Sequence, residues 1–354
     1  MERRKSRIIK AGNVYIGGDA PVSVQSMLNK PAHDIEGSVA QALALEQAGC
    51  EIIRAAIPDE EAVALIPALK KKLSIPVVAD IHFDYRLALA SIDAGVDKIR
   101  INPGNIGSGD RVKAVADACR KNNIPIRVGV NSGSVEKNIL AKYGSPCAEA
   151  LVESAMYHVS LLEKFDFYDT VISIKSSDVK TMIEAYRLAA QKCDYPLHLG
   201  VTEAGTYNSS LIKSSIGIGS LLADGIGDTI RVSITDDPVR EITAAQDILH
   251  ALSLGKPRPE IVSCPTCGRT KIDLISLAKE VEERLRACNK PLKVAVMGCA
   301  VNGPGEAKEA DIGIAGGDGC ALIFRKGEII CKVGEEEAVD RLIEEIGKID
   351  NEKQ

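Results

Sequence analysis

Cys264 and Cys267 stand three apart in "VSCPTCGRT", residues 262–270, and a third cysteine, Cys299, opens the Gly/Pro-rich stretch "GCAVNGPGEA". A Cys-x-x-Cys pair can be a redox dithiol, half of a zinc site, or two ligands of an iron–sulfur cluster. A structural zinc site takes four closed ligands, commonly from two such pairs, and the chain has no second pair. A thioredoxin-like dithiol sits at a helix N-terminus in a βαβ pattern and has no use for Cys299. Three thiolates leave one iron of a [4Fe–4S] cluster without a sulfur ligand, which suits a cluster that binds substrate at that iron. The spacing favours the cluster and leaves zinc and the dithiol open. The remaining cysteines of the 10 are expected to be small buried hydrophobes.

A second group of residues is cationic. Arg54, Arg100, Arg127, Lys175 and Arg231 each fall in a short apolar run, accompanied by Asp80, His82, Asn102, Asn131, Thr202, Glu203 and Ser233. If those runs are the strands of one parallel barrel, these polar residues meet at the mouth where the strands end. One arginine alone would be explained by solvent or a loop carboxylate. Five cations sharing a cleft repel one another unless an anion joins them. Guanidinium forks match phosphate oxygens in pairs, so the expected ligand is a compact phosphate ester of high charge, best of all a diphosphate. Glu203 is either an ion-pair partner for Arg231 or Lys175, or a general acid or base. His82 reads equally as a substrate hydrogen-bonder or a structural residue. His33, His158, His198 and His250 read as structural and without partners.

The elements that must position these residues follow one repeat. From about residue 22 to 234, short β-branched runs alternate with amphipathic stretches such as "SVAQALALEQAG" and "RLALASIDAG", each stopped by glycine. The runs are "VSVQSM", "EIIRAAI", "PVVADIHF", "KIRINPG", "PIRVGV", "TVISIKS", "LHLGVTEA" and "TIRVSI". Eight βα units in about 250 residues predict a (β/α)8 TIM barrel in residues 1–255. An open doubly wound sheet is the runner-up, but no G-x-G-x-x-G follows an early strand. "IIKAGNVYIGG" reads as a hairpin that closes the barrel's bottom. "DPVREITAAQDILHALSLG" reads as the eighth helix, and "KPRPE", residues 256–260, as a stiff linker. Residues 261–354 then read as a small α+β domain, with helices near 271–287 and 335–349 and a hairpin at "FRKGEI".

Composition bounds the remaining possibilities. The chain has 354 residues, 45% hydrophobic, 3% aromatic and no Trp, so aliphatic side chains must fill its cores. A net charge of −5 argues against a general nucleic-acid binder. No apolar run approaches the roughly 18 residues of a membrane span, and "MERRKSRIIK" leads into no signal-peptide core. The expected location is cytoplasmic, with reduced cysteines.

The motifs "ADIHFD", "KIRINPGNIG", "RVGVNSGS", "ISIKSSD", "GVTEAG", "IRVSIT", "SCPTCGRT" and "GCAVNGPGEA" run in this order through nearly the whole chain. In them the sequence resembles the 4-hydroxy-3-methylbut-2-enyl diphosphate synthase family, flavodoxin- or ferredoxin-dependent enzymes of the methylerythritol phosphate route to isoprenoids, in its short bacterial form. The resemblance implies a [4Fe–4S] cluster held by Cys264, Cys267, Cys299 and the carboxylate of Glu306, whose oxygen can yield to a substrate oxygen. It implies 2-C-methyl-D-erythritol 2,4-cyclodiphosphate as substrate, reductive ring opening with loss of water, and electrons arriving one at a time. Glu203 would handle protons, and Asn302 would contact substrate. The second domain would resemble the cluster domain of sulfite and nitrite reductases.

A head-to-tail homodimer is also expected. The eighth helix, of roughly 15 residues, must descend some 22 Å from the mouth toward the barrel's bottom. The linker would then leave the second domain near that bottom, so a two-fold partner would have to supply the cluster to each mouth. The family resemblance implies the same arrangement. Without it, the alternatives are a non-redox barrel lyase or pterin-type transferase with a zinc-ribbon appendage, and a zinc-dependent binding module on a degenerate barrel.

Overall fold

The computed structural model describes residues 2–286, 288–301 and 307–349. Its first elements, β1 (Ile9–Ala11) and β2 (Val14–Ile16), form an antiparallel hairpin that pairs Ile9 with Ile16. Parallel strands follow: β3 (Ser23–Met27), β4 (Ile52–Ala56), β5 (Val77–Asp80), β6 (Lys98–Ile101), β7 (Ile126–Asn131), β8 (Thr170–Lys175), β9 (His198–Leu199) and β10 (Thr229–Ile230). They form one 8-stranded sheet in the order β8-β7-β6-β5-β4-β3-β10-β9, and a parallel bridge from Ile172 to Leu197 closes the ring. The fold is the expected (β/α)8 barrel.

Between and after the strands lie α1 (Ile35–Gln47), α2 (Leu65–Lys72), α3 (Tyr85–Asp93), α4 (Pro103–Ile106), α5 (Gly109–Asn122), α6 (Lys137–Tyr143), α7 (Ala148–Glu163), α8 (Val179–Lys192), α9 (Tyr207–Ala223) and α10 (Pro238–Ala251). Asp34, Asp84, Asp178 and Asp237 cap α1, α3, α8 and α10 by accepting a backbone N–H of the first turn. After α1 and α3 the chain turns at Gly49 (φ +97°) and Gly95 (φ +87°), which only glycine adopts without strain.

Two-residue alternation sorts the strand side chains. Val77, Ala79, Ile99, Ile101, Val128 and Val130 face the helices in the main apolar core. Each valine or isoleucine among them stabilises by about 1.5–3 kcal/mol when fully buried. The opposite parity faces the barrel axis. At the end where the strands begin, Ile52, Val78 and Val171 pack on Ile9, Ala11 and Ile16 of the hairpin, an apolar plug. The rest of the interior is polar and buried: Ser23, Gln25, Arg54, Lys98, Arg100, Arg127, Lys175, His198 and Thr229.

Two runs behave differently from expectation. "LHLGVTEA" and "TIRVSI" pair only over His198–Leu199 and Thr229–Ile230. Beyond these, single hydrogen bonds replace the ladder: Thr202 N–H to Ser176 O (3.2 Å) and Arg231 N–H to Leu199 O (2.9 Å). A Cβ on Gly200 would meet the Arg231 carbonyl oxygen at 2.7 Å, so the two segments stay close although their pairing is irregular.

The chain divides after Gly255 into two units. The second contains β11 (Glu260–Ser263), α11 (Leu274–Leu285), β12 (Lys293–Met297), β13 (Ile312–Gly317), β14 (Cys320–Arg325), β15 (Glu328–Val333) and α12 (Ala338–Ile349). Its 5-stranded sheet runs β11-β12-β13-β14-β15, with the β11–β12 and β12–β13 pairs parallel and the others antiparallel. Strand β11 was not apparent from the sequence, and it takes in Glu260, read there as linker. The β14–β15 hairpin turns at Lys326 (φ +50°) and Gly327 (φ +85°), the two left-handed residues of a tight hairpin turn.

Candidate active site

The residues expected at the mouth lie on the barrel's inner parity, but at different depths. Arg127 is only the second residue of β7 and is fully buried, so it lies below the mouth and not at its rim. None of its three guanidinium nitrogens has a partner. Arg100 donates from Nη1 to Asp80 Oδ1 at 3.0 Å, and its Nε is unpartnered. A Cβ on Gly129 would fall 2.5 Å from Arg100 Nε, so glycine there gives the arginine its space. Arg54 lies with Nε 3.7 Å from Asp80 Oδ2 and Nη2 2.7 Å from Met27 Sδ. Lys175 ends β8 beside Asn131, its register partner on β7.

Electrostatics shows how little of this charge is compensated. Burial lowers Arg54 to about 10, with Asp80 opposing and Arg231 and Arg100 adding to the fall. Burial first, then the neighbouring cations, push Lys175 and Arg127 well below their ordinary values. An arginine keeps its proton, so for Arg127 the direction reflects the cost of a buried charge without a hydrogen-bond partner beside other cations. Burial alone would raise Asp80, but Arg54, Arg100 and Arg127 together hold it at about 2. Asp80 is therefore the counterion that organises these cations, with His82 Nε2 a further 3.7 Å neighbour.

The sequence reading missed Glu241. On α10 and almost completely buried, it contacts Arg231 Nη2 at 3.2 Å and accepts from Ser26 Oγ (2.8 Å) and the Ile234 N–H (3.1 Å). Arg231 thus pairs with Glu241, and among the described residues Glu203 makes an ion pair with neither Arg231 nor Lys175, the two partners expected for it. Glu203 is exposed and sits at φ +52°, a left-handed conformation that costs a non-glycine residue of order 1 kcal/mol and clusters at functional sites. Asn102, at the end of β6, is buried with both side-chain polar atoms unpartnered. Thr202 and Ser233 are half-buried, and His82 is largely exposed.

Two further readings need correction. His33 is within 3.0 Å of Asp59, and His158 both meets Glu136 and accepts from the Gly104 N–H at 3.1 Å, so neither is without a partner. Among the cysteines read as buried, Cys50, Cys119 and Cys320 are buried, while Cys147, Cys193, Cys288 and Cys331 are only partly so.

In the second unit, β11 and β12 are parallel, and Ser263 pairs with Val296. That register brings Cys264 and the "MGC" end of β12 to one edge of the sheet. The Gly298 N–H points at Cys264 Sγ (3.3 Å). Cys267 N–H donates to Thr270 Oγ1 (3.1 Å), and the Lys271 N–H donates to Gly298 O (2.8 Å), which ties the Cys-x-x-Cys turn to the Cys299 loop. The backbone N–H of Arg269, then its side chain, hold the Cys267 thiol below its ordinary value. Asn302 and Glu306 lie outside the described residues. Among the described residues no three His, Cys, Asp or Glu side chains are gathered closely enough to grip a metal ion as they stand. The donor chemistry still fits an iron–sulfur centre: three thiols on one hydrogen-bonded loop cluster, one sulfur already facing a backbone N–H.

A closed parallel barrel whose axis is lined with under-compensated cations is the architecture of an enzyme for anionic substrates, here joined to a cysteine-bearing α+β unit. Family models give the class a name: the GcpE TIM-barrel domain matches residues 6–246 and the GcpE protein C-terminal domain matches residues 260–348. The chain belongs to the GcpE family. A 4-hydroxy-3-methylbut-2-en-1-yl diphosphate synthase (flavodoxin) of Clostridium perfringens (strain 13 / Type A) is 61% identical over 349 residues, covering 99% of this chain and 100% of its own. A protein of the same name from Fusobacterium nucleatum is 58% identical, covering 99% of this chain and 98% of its own. Two solved structures are similar to the barrel part of the chain. Dihydropteroate synthase from Stenotrophomonas maltophilia (TM-score 0.51, 14% identity) covers 70% of this chain and 98% of its own. 3-Dehydroquinate dehydratase from Geobacillus kaustophilus HTA426 (TM-score 0.51, 14% identity) covers 71% and 100%.

Proposed function

We propose that this chain is an iron–sulfur oxidoreductase that converts 2-C-methyl-D-erythritol 2,4-cyclodiphosphate to 4-hydroxy-3-methylbut-2-enyl diphosphate in the methylerythritol phosphate pathway. The observation that carries the reading is the cation set of the barrel interior, buried Arg54, Arg100, Arg127 and Lys175 with partly buried Arg231, in which Asp80 engages Arg54 and Arg100 and Glu241 engages Arg231. The family membership and the full-length identity to synthases support the same activity. Residues 1–255 would form the substrate-binding domain, 256–260 the linker and 261–354 the cluster domain.

The cations bind the two phosphoryl groups, Asn102 and Asn131 offer amide hydrogen bonds beside them, and Thr202, Ser233 and His82 complete the rim. Charge-assisted bonds in so dry a site fix the ring's orientation before any bond breaks. Cys264, Cys267, Cys299 and Glu306 would hold a [4Fe–4S] cluster, which when bound supplies electrons singly from a flavodoxin or ferredoxin. Glu203 delivers the proton with which the substrate hydroxyl leaves as water. Its strained backbone at the rim supports that role, because strain is kept where a side chain must be aimed. Asn302 would contact substrate from the cysteine loop.

The proposal includes a head-to-tail homodimer and a cytoplasmic location. Within the first unit, α10 follows the mouth end of β10 and runs 14 residues, about 21 Å, toward the opposite end of the barrel, which supports a partner chain serving each mouth. No helix of the described residues is long and apolar enough to cross a membrane. The test is anaerobic turnover of the cyclic diphosphate by protein supplied with iron, sulfide and a one-electron donor. The expected product is the linear allylic diphosphate. Absence of product from iron-loaded protein that binds the cyclic diphosphate would overturn the reaction.

A further inference from the structure

Below the mouth lies a set of buried polar groups of which the proposed reaction uses only Arg127, the lowest of its cations. Lys98 opens β6 on the inner parity and is fully buried, and its Nζ has no hydrogen-bond partner. His198 opens β9, equally buried, with both ring nitrogens unpartnered. Arg127 adds three unpartnered nitrogens. The groups feel one another: Arg127 acts on Lys98, and Arg127, Lys175 and Lys98 all act on His198. The hairpin plug of Ile9, Ala11 and Ile16 against Ile52, Val78 and Val171 closes the floor beneath them.

Charge balance makes the set anomalous. Among the described residues, the carboxylates that reach the interior cations are Asp80 and Glu241. Asp80 is engaged by Arg54, Arg100 and His82, and Glu241 by Arg231. Neither makes an ion pair with Lys98 or Arg127. A cyclic diphosphate keeps one negative charge on each phosphoryl group, too little to offset the whole interior. Unpaired buried charge is strongly disfavoured, so the base of the barrel must hold an anion or discharge its lysine.

We infer that Lys98, Arg127 and His198 form a second anion site on the barrel axis, beneath the substrate site, for a small monovalent inorganic ion of halide size. Lys98 Nζ and the guanidinium of Arg127 donate to it, and the imidazole of His198 gives one N–H. In the empty barrel, burial followed by Arg127 and Arg54 pushes the Lys98 amine well below its ordinary value, and the arriving anion reverses this, so anion and proton enter together. The bound ion separates Lys98 from Arg127 and leaves the upper cations free for a phosphate ester. The site exists without substrate, so its fate is separable from that of the proposed reaction.

The test uses the full chain without substrate. Crystals soaked in sodium bromide are measured at the bromine edge. Melting is followed against sodium chloride, with sodium gluconate holding ionic strength constant, for wild type, Lys98→Met and the surface control Lys72→Met. A bromide peak within hydrogen-bonding reach of Lys98 Nζ is expected. A saturable chloride-dependent rise of roughly 2–4 °C should appear in wild type and Lys72→Met and vanish in Lys98→Met. Bromide found only at the rim beside Arg54 and Arg231, water alone at Lys98, or an undiminished chloride effect in Lys98→Met would overturn the inference. Should Lys98→Met fail to fold, Lys98→Gln replaces it, and the bromide map of the wild type decides by itself.

Discussion

Replacing Asp80 with asparagine removes the carboxylate on which the upper cations of the barrel rest. Oδ1 lies 3.0 Å from Arg100 Nη1, and Oδ2 lies 3.7 Å from Arg54 Nε. At an effective dielectric constant of about 20 these pairs attract by roughly 5–6 and 4–5 kcal/mol before desolvation. Desolvation takes back much of that, and removing one partner of a buried pair typically costs about 3–5 kcal/mol. For a unit of this size, such a loss lowers the melting temperature by roughly 6–20 °C. Asparagine keeps the volume, so the loss is electrostatic. Pyrophosphate should restore part of it, because an anion between Arg54 and Arg100 replaces the missing carboxylate, and it should stabilise the variant more than the wild type. The acid limb changes as well. Asp80 titrates at about 2 in the fold against 3.8 ordinarily, so its contribution is present above pH 4 and is lost as pH falls through about 2. That contribution is roughly 2 kcal/mol, and the variant should lack it. Melting curves at pH 7 with and without pyrophosphate, and a pH series below 4, measure these effects. A variant that melts with the wild type and ignores pyrophosphate would refute the reasoning.

Three other outcomes follow from the site. Glu203→Gln should keep the melting temperature and substrate affinity while turnover falls by about 10²–10⁴; a fall in stability with turnover intact would make Glu203 structural. Arg231→Ala and Glu241→Gln should each weaken substrate binding by about ten- to a hundredfold. Their double variant should lose less than the product of the two, and strict additivity would show that Glu241 does not act through Arg231. Mixing the inactive Cys299→Ser and Glu203→Gln proteins should recover up to about a quarter of wild-type activity if subunits exchange randomly. No recovery despite demonstrated exchange would mean that each chain serves its own mouth.

The barrel was legible because its outer face writes itself plainly: every second strand residue is apolar, and amphipathic helices intervene with aspartate caps and glycine stops. The inner face was read only where strands end, by analogy with the usual position of barrel active sites. "KIRIN" held more than that. Lys98, Arg100 and Asn102 at alternate positions of an apolar strand mark one polar wall, and Lys98 went unread because it stands at the strand's beginning. Glu241 left no local signal, since a glutamate on an amphipathic helix ordinarily faces water, and only the packing of α10 against β3 turns it inward. The short pairing of β9 and β10 was equally invisible, because "LHLG" and "TIRVSI" keep a strand pattern after their ladder has stopped. In the second unit the cysteines were clear from spacing, whereas the edge they share depends on the β11–β12 register, and β11 itself was unforeseen.

The proposed union in one chain of a diphosphate-binding barrel and a redox centre on Cys264, Cys267 and Cys299 is open to a single experiment. Iron and acid-labile sulfide, determined on anaerobically reconstituted wild type and on the three Cys→Ser variants, with turnover of the cyclic diphosphate measured on the same samples, test it most directly. Expected are about four iron and four sulfide per wild-type chain with turnover, and loss of both in each variant. Stoichiometric zinc without iron in the wild type, or full activity in an iron-free Cys299→Ser protein, would contradict it.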